Sequence, residues 1–341
     1  MILALCGGLV VATLPSGQCA EVRQPAVAGR FYPSSASVLE TEVRKMLADA
    51  EPKAPRALQN KRPLALIVPH AGYMFSAPTA ATAFKLLQGK EKPSRIVLMG
   101  PSHYVRMTEG CSIPEYTAYK TPLGQIPLDQ EAIERLAANR SFHKTTRVHQ
   151  KEHCIEVELP FLQCTWDKMP PIVPIIVGQL GAQRRREVAS AVGDLLDRDT
   201  LLVVSSDFTH YGPPYLYTPF AGTPESGLRS KIKNLDMRAV GYIEALDAVG
   251  FGDFLFDTGA TICGRASIHV LLELLSRSDS IEPVFLEWNN SGDMTGSHET
   301  CVSYVAMAFY ANDDAYAPVS YTHLRAHETS LHLVCRLLLE K

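Results

Sequence analysis

Four short apolar runs punctuate the chain: Leu64–Val68, Arg95–Met99, Ile172–Val177 and Leu201–Val204. Apart from the opening Arg95 each is uninterrupted, a pattern that suits strands buried on both faces better than strands with one wet side. Between and around them the apolar positions recur at helical spacing. Ser37–Ala50 puts Leu39, Val43 and Leu47 on one face. Further helices are predicted over Pro78–Leu87, Asp129–Asn139, Glu152–Thr165, Glu187–Leu196, Leu235–Leu246 and Arg265–Ser276, with Pro160 kinking or breaking the third of these six. The polar, proline-rich Glu51–Pro63 reads as a linker, and Pro283–Trp288 and Cys301–Tyr310 as the last two strands. Strand–helix alternation of this kind predicts an α/β fold: a single domain whose central sheet, largely parallel or mixed, is flanked by helices.

The two ends depart from this pattern, so the domain is assigned to residues 21–317. Residues 1–20 read as a leader, since Ile2–Leu14 is an apolar run too short to span a bilayer but suited to a signal-peptide core. A real leader implies a periplasmic or secreted protein with no stable membrane insertion after processing; otherwise the protein is cytoplasmic. Residues 318–341 follow an apparently complete last strand and read as a foreign or disordered tail. The tail holds His327-Glu328 and His332, but two histidines five residues apart lie about 140° round a helix. A zinc-protease helix needs them four apart on one face.

Composition narrows the function classes. With 341 residues, 46% hydrophobic, the chain can bury a full core. A net charge of -3 and the lack of any RNA or DNA motif exclude a broad nucleic-acid footprint. Arg184-Arg185-Arg186 is the one dense basic run and reads as solvated surface. Eight scattered cysteines with no C-x-x-C pair do not make a disulfide scaffold. No glycine-rich phosphate loop follows a strand.

Candidate chemistry lies just past the strands. His70, His103 and the pair Asp207 and His210 each follow a buried run directly, in LIVPH, IVLMGPSH and LLVVSSDFTH. In a parallel sheet those ends converge on one rim, where ligands collect. A fourth group, His149 to His153, is read as opening a helix whose N–H groups favour an anion. In Thr261-Ile262-Cys263-Gly264-Arg265 a lone cysteine precedes a helix beside Gly and Arg, a setting expected to lower its pKa. Two imidazoles and one anionic ligand with open positions is the facial arrangement of non-haem iron, usually completed by a carboxylate. A thiolate there keeps the charge and softens the site, so zinc or copper(I) can compete.

At these residues the chain resembles the Memo family, relatives in fold of the class III extradiol dioxygenases. The matching segments include RQPAVAGRFYP, PHAGYMFSA, GPSHYV, TPLGQIPLDQE, EHCIEVELPF, IVPIIVGQL, SSDFTHYG, TICGR and CVSYVAM, in order from Arg23 to Tyr310. The resemblance implies metal ligation, iron (Fe2+) first, by His70, His103 and Cys263. It places Asp207 and His210 around that site and His153 near the same cleft. It also implies a pathway link to a radical S-adenosylmethionine enzyme and an AMMECR1-like protein.

Three functions follow as alternatives. One is an oxidoreductase of extradiol-dioxygenase type on an unknown small molecule, in which His210 or His153 moves a proton and Asp207 orients the histidine. Another is a non-catalytic, metal-dependent binding module for an anionic ligand or peptide. The third is a hydrolase with Ser205 or Ser206 as nucleophile, which lacks G-x-S-x-G.

Overall fold

In the computed structural model, which describes residues 21–278 and 280–311, twelve strands and ten α-helices are formed among the described residues. The strands are β1 (Val22–Arg23), β2 (Ala65–Val68), β3 (Arg95–Pro101), β4 (Cys111–Ile113), β5 (Ala118–Thr121), β6 (Gly124–Pro127), β7 (Phe142–Lys144), β8 (Ile172–Val177), β9 (Thr200–Ser205), β10 (His210–Tyr211), β11 (Ile281–Asn290) and β12 (Cys301–Ala311). The helices are α1 (Ala36–Asp49), α2 (Tyr73–Lys85), α3 (Gln130–Ala137), α4 (Thr146–Gln150), α5 (Leu159–Thr165), α6 (Ala182–Gly193), α7 (Glu225–Glu244), α8 (Ala248–Thr258), α9 (Arg265–Leu275) and α10 (Gly292–Thr295). The proposed leader, residues 1–20, and tail, residues 318–341, lie outside the described residues.

The central sheet is mixed. Its order is β10-β12-β2-β9-β3-β8-β4-β7, with β11 paired to β12. The middle four strands, β2, β9, β3 and β8, are parallel, and β12 and β4 run antiparallel on either side of them. These four are the apolar runs seen in the sequence, and nearly all their residues are buried. Burial on both faces requires cover on both. α9 packs on β3 and β9 with α6 against it, while α2 covers β12, β11 and β2 and is backed by α1 and α5. A small second sheet, β1-β5-β6, completes the strands. Among the described residues no helix is long and apolar enough to cross a membrane, and all five cysteines are free.

Several local expectations are corrected. α2 begins at Tyr73, not at Pro78, which lies inside it. Its ring removes one N–H from the ladder, beside the solvent-exposed Met74. The predicted helix over Glu152–Thr165 is only helical from 156 on, as a 3-10 turn leading into α5. The reason is local competition: the Glu152 carboxylate accepts the backbone N–H groups of His153 and Cys154, holding that stretch out of a helix. Pro160 therefore starts α5 rather than kinking it, since a first-turn residue needs no N–H partner. α7 is longer than expected, and α8, whose apolar and glycine residues mask the helical period, was not anticipated.

Candidate metal centre

Three neighbouring parallel strands build the rim. β9 lies between β2 and β3, and Val68 at the end of β2 is level with Ser205 at the end of β9. His70 follows β2 and His103 follows β3, so the two imidazoles lean over the end of β9 from opposite sides. Their ring centroids are 5.2 Å apart. Cys263 comes down from the loop before α9, fixed by its N–H to the Asp207 carbonyl (3.3 Å) and by the Asp207 N–H to its sulfur (3.2 Å). This approach is close: a Cβ on Gly264 would lie 2.4 Å from Ser206 Cβ.

One ring nitrogen each of His70 and His103 and the Cys263 sulfur all lie within 4.8 Å of one another. Cys263 Sγ is 3.2 Å from His70 Nε2. Two atoms bound to one ion at ordinary metal–nitrogen and metal–sulfur lengths would be about 3.5 Å apart, so the spacing suits a shared ion. His103, Glu152 and His153 form a second group with such potential. That group suits an ion less well, because Glu152 already receives the N–H groups of His103, His153 and Cys154 and the His103 ring.

The outer partners settle which nitrogen is free. Ser205 Oγ is 2.7 Å from His70 Nδ1, 2.7 Å from the Cys154 carbonyl and 2.8 Å from Glu158 Oε1. A hydroxyl has one proton, and the carbonyl can only accept it. Ser205 Oγ must then accept from both His70 Nδ1–H and a protonated Glu158. Burial pushes the Glu158 carboxyl well above its usual range, in keeping with that assignment. His70 therefore keeps its proton on Nδ1 and offers the Nε2 lone pair toward Cys263. Burial and the neighbouring histidines hold its pKa well below the ordinary value, so it is neutral. His103 is arranged in the same way: Nδ1 lies 2.8 Å from Glu152 Oε1, leaving Nε2 to offer. Burial alone would raise the Glu152 pKa, but hydrogen bonds from His103 hold it down at about 2. Ring orientation by a carboxylate or hydroxyl is the usual support for a metal-binding histidine.

Other predicted residues land less simply. His153 is beside the cluster, stacked on His103 at 4.5 Å and edge-on to Phe31 at 4.8 Å. Its buried Nδ1 makes no hydrogen bond but lies 3.4 Å from Glu152 Oε1, and burial lowers its pKa to about 4. His210 is also near, held by Nδ1 to the carbonyls of Phe208 (2.9 Å) and Thr261 (3.0 Å). Asp207 does not orient that ring, contrary to expectation; it accepts the His70 N–H at 2.8 Å, fixing the backbone instead. Cys263 is also not acidified. Burial, then the nearby Asp207, push its thiol up, so a metal has to displace the proton.

His149 does not join the rim. It lies in α4, a five-residue helix that it nearly closes rather than opens, and its ring is buried between Tyr119 OH (2.8 Å) and Ser112 (3.1 Å). The helix N-terminus expected there for an anion is absent because Glu152 diverts the chain. Ser205 and Ser206 are fully buried and engaged, which removes the hydrolase reading.

Glu152, Ser205, Glu158 and Phe31 were not picked out as partners of the site. A glutamate flanked by apolar residues, as in EHCIEVELPF, was the available signal. Part of that segment serves structure. Glu156 accepts from Arg23, the N–H groups of Ala26 and Val27, and Tyr32 OH, tying RQPAVAGRFYP to the rim.

The pattern of segments extends over most of the chain, and the profile described as Memo-like protein matches residues 23–308. The chain belongs to the Memo family. It is 32% identical over 298 residues to the protein memo-1 homolog of Caenorhabditis elegans, covering 85% of this chain and 83% of that protein. It is 33% identical to protein MEMO1 of Xenopus tropicalis over 296 residues, covering 84% and 96%. A MEMO1 family protein of Methanopyrus kandleri is 31% identical over 304 residues, covering 84% and 98%. All the rim residues named above fall within the stretch that defines Memo membership.

Proposed function

We propose that this Memo family chain holds one metal ion, iron first, on His70, His103 and Cys263 and acts as an oxidoreductase of extradiol-dioxygenase type. The observation that supports the metal is the convergence of two imidazoles and a thiol whose other ring nitrogens are both engaged. Among the described residues three ligands converge, whereas a closed structural zinc site uses four. When bound, the metal supplies a Lewis acid and redox centre with positions open to substrate.

The protein's own groups then handle protons. The Phe208 and Thr261 carbonyls can only accept, so His210 carries its proton on Nδ1 and presents Nε2 as a base toward a substrate hydroxyl. His153, neutral and with Nδ1 3.4 Å from the Glu152 carboxylate, is a second place for that proton. Asp207 keeps His70 in register through the backbone.

The test is metal content after oxygen-free purification, followed by oxygen uptake across a panel of diols and phenols. The parent should carry close to one ion per chain and Cys263→Ser far less. His210→Ala should keep its metal but lose roughly 100- to 10,000-fold in uptake, the usual range for a proton-transfer group. A parent with no iron, zinc or copper rejects the metal site. A loaded parent that consumes no oxygen with any probe points to the binding module for an anionic ligand or peptide.

A further inference from the structure

A cavity of 680 Å³ opens beside the cluster, with Cys263 in its wall. Its size falls within the range of small-molecule sites. Three arginines line it, Arg106, Arg185 and Arg265, and no aspartate or glutamate does. Arg185 is tied to Glu273 at 3.1 Å. No ion pair or hydrogen bond engages the guanidinium of Arg106 or Arg265 among the described residues, so two exposed cations border the space without a bound counter-charge. His269 adds no charge, since burial lowers its pKa to about 4, and its Nε2 donates to the Ala248 carbonyl at 3.1 Å. Met107, Leu180 and Leu255 give the wall an apolar patch beside the polar Ser102 and Gln179, and Phe256 is 90% exposed.

We propose that this cavity binds a small amphipathic anion, an apolar ring or chain bearing a carboxylate or phosphate. Arginine is suited to both groups because its planar fork meets two of their oxygens at once. The apolar wall and Phe256 take the body of the ligand. The inference deepens the metal-site reading by giving the substrate a class, because Cys263 belongs to both the cluster and the cavity wall. It also moves the anion site from the neighbourhood of His149 to the side of Cys263.

The experiment is calorimetric titration of the metal-loaded full chain with 2-naphthoate, 2-naphthyl phosphate and the neutral 2-naphthalenemethanol. At least one anion should bind about tenfold or more tighter than the alcohol, as charge-assisted contacts require. Which anion binds tighter identifies the head group. The double variant Arg106→Gln, Arg265→Gln should bring the anions down to the affinity of the alcohol while leaving the alcohol and the metal content unchanged. Phe256→Ala should weaken all three alike. Equal binding of anions and alcohol, or full anion affinity in the double variant, overturns the proposal. So does anion binding that vanishes on metal removal, because the metal and not the arginines would then be the receptor. A chain that holds no metal yet binds naphthoate through its arginines would sink the metal reading and leave this inference standing.

Discussion

Two buried polar knots lie at opposite ends of the segment from Glu152 to Glu156, and they are built on different terms. At Glu156 the demand is met in full. Its two oxygens receive Arg23, two backbone N–H groups and Tyr32 OH, and Arg23 also reaches the carbonyls of His149 and Glu152. At the rim the far sides of the rings are satisfied and the near sides are not. His70 Nε2 faces a thiol, and His153 Nδ1 makes no hydrogen bond, lying 3.4 Å from Glu152 Oε1. A saturated network holds chain segments together. A network with lone pairs left over, aimed at a common point, is arranged for something the chain does not itself supply.

The comparison breaks hardest at the saturated knot. Arg23 and Glu156 are both essentially inaccessible, and removing one partner leaves a buried charge uncompensated. Glu156→Ala should cost about 3–5 kcal/mol, seen as a melting temperature lower by roughly 5–8 °C. A shift of only a degree or two would show that water reaches the pair. At the unsaturated knot the expected pattern is reversed. Glu152→Gln removes the carboxylate that orients His103, so metal affinity should fall about 10- to 100-fold. Competition with a chelator measures this, and unchanged affinity would mean that Glu152 serves the backbone alone.

The smallest effect sharpens the contrast through pH. Burial lowers the pKa of His149 to about 3, against an ordinary value of 6.5. The unfolded chain therefore binds the proton first as pH falls. The stability that neutral His149 contributes is complete above about pH 6.5 and is lost as pH drops toward 3, reaching about 2 kcal/mol of loss by pH 5. His149→Gln should accordingly lose less melting temperature between pH 7 and pH 5 than the parent does. Equal losses would show that this ring is free to protonate in the fold.

Much of the site was legible before any coordinates. Apolar runs ending in histidine announce themselves because a strand buried on both faces has no polar alternation to blur it. What could not be read was direction and partnership. His149 and His153 sit four residues apart in one polar stretch, yet one is closed off by Tyr119 and Ser112 while the other stacks on His103. Glu152 decides between them by capturing N–H groups that a helix would have used, and a sequence pattern does not show which carboxylate will win such a competition. The acidity of Cys263 was misjudged for a related reason. Its sequence neighbours Gly264 and Arg265 suggested a low pKa, but burial and Asp207, 56 positions away in the chain, set it.

The sequence by itself determined the long buried strands and the α/β class, which follow from local periodicity. It also determined the placing of His70, His103, Asp207 and His210 just past strand ends, which follows from the rule that parallel strands present their ends on one side. Memo family membership follows instead from the ordered motifs. Only the tertiary structure decided which ring nitrogens are free, that Ser205 and Glu158 lock His70, that Asp207 serves the backbone, and that two unpaired arginines share a cavity with Cys263. Those facts depend on hydrogen-bond partners and dielectric surroundings contributed by segments far apart in the chain, and such groups acquire their roles only when packing removes the water that would otherwise satisfy them.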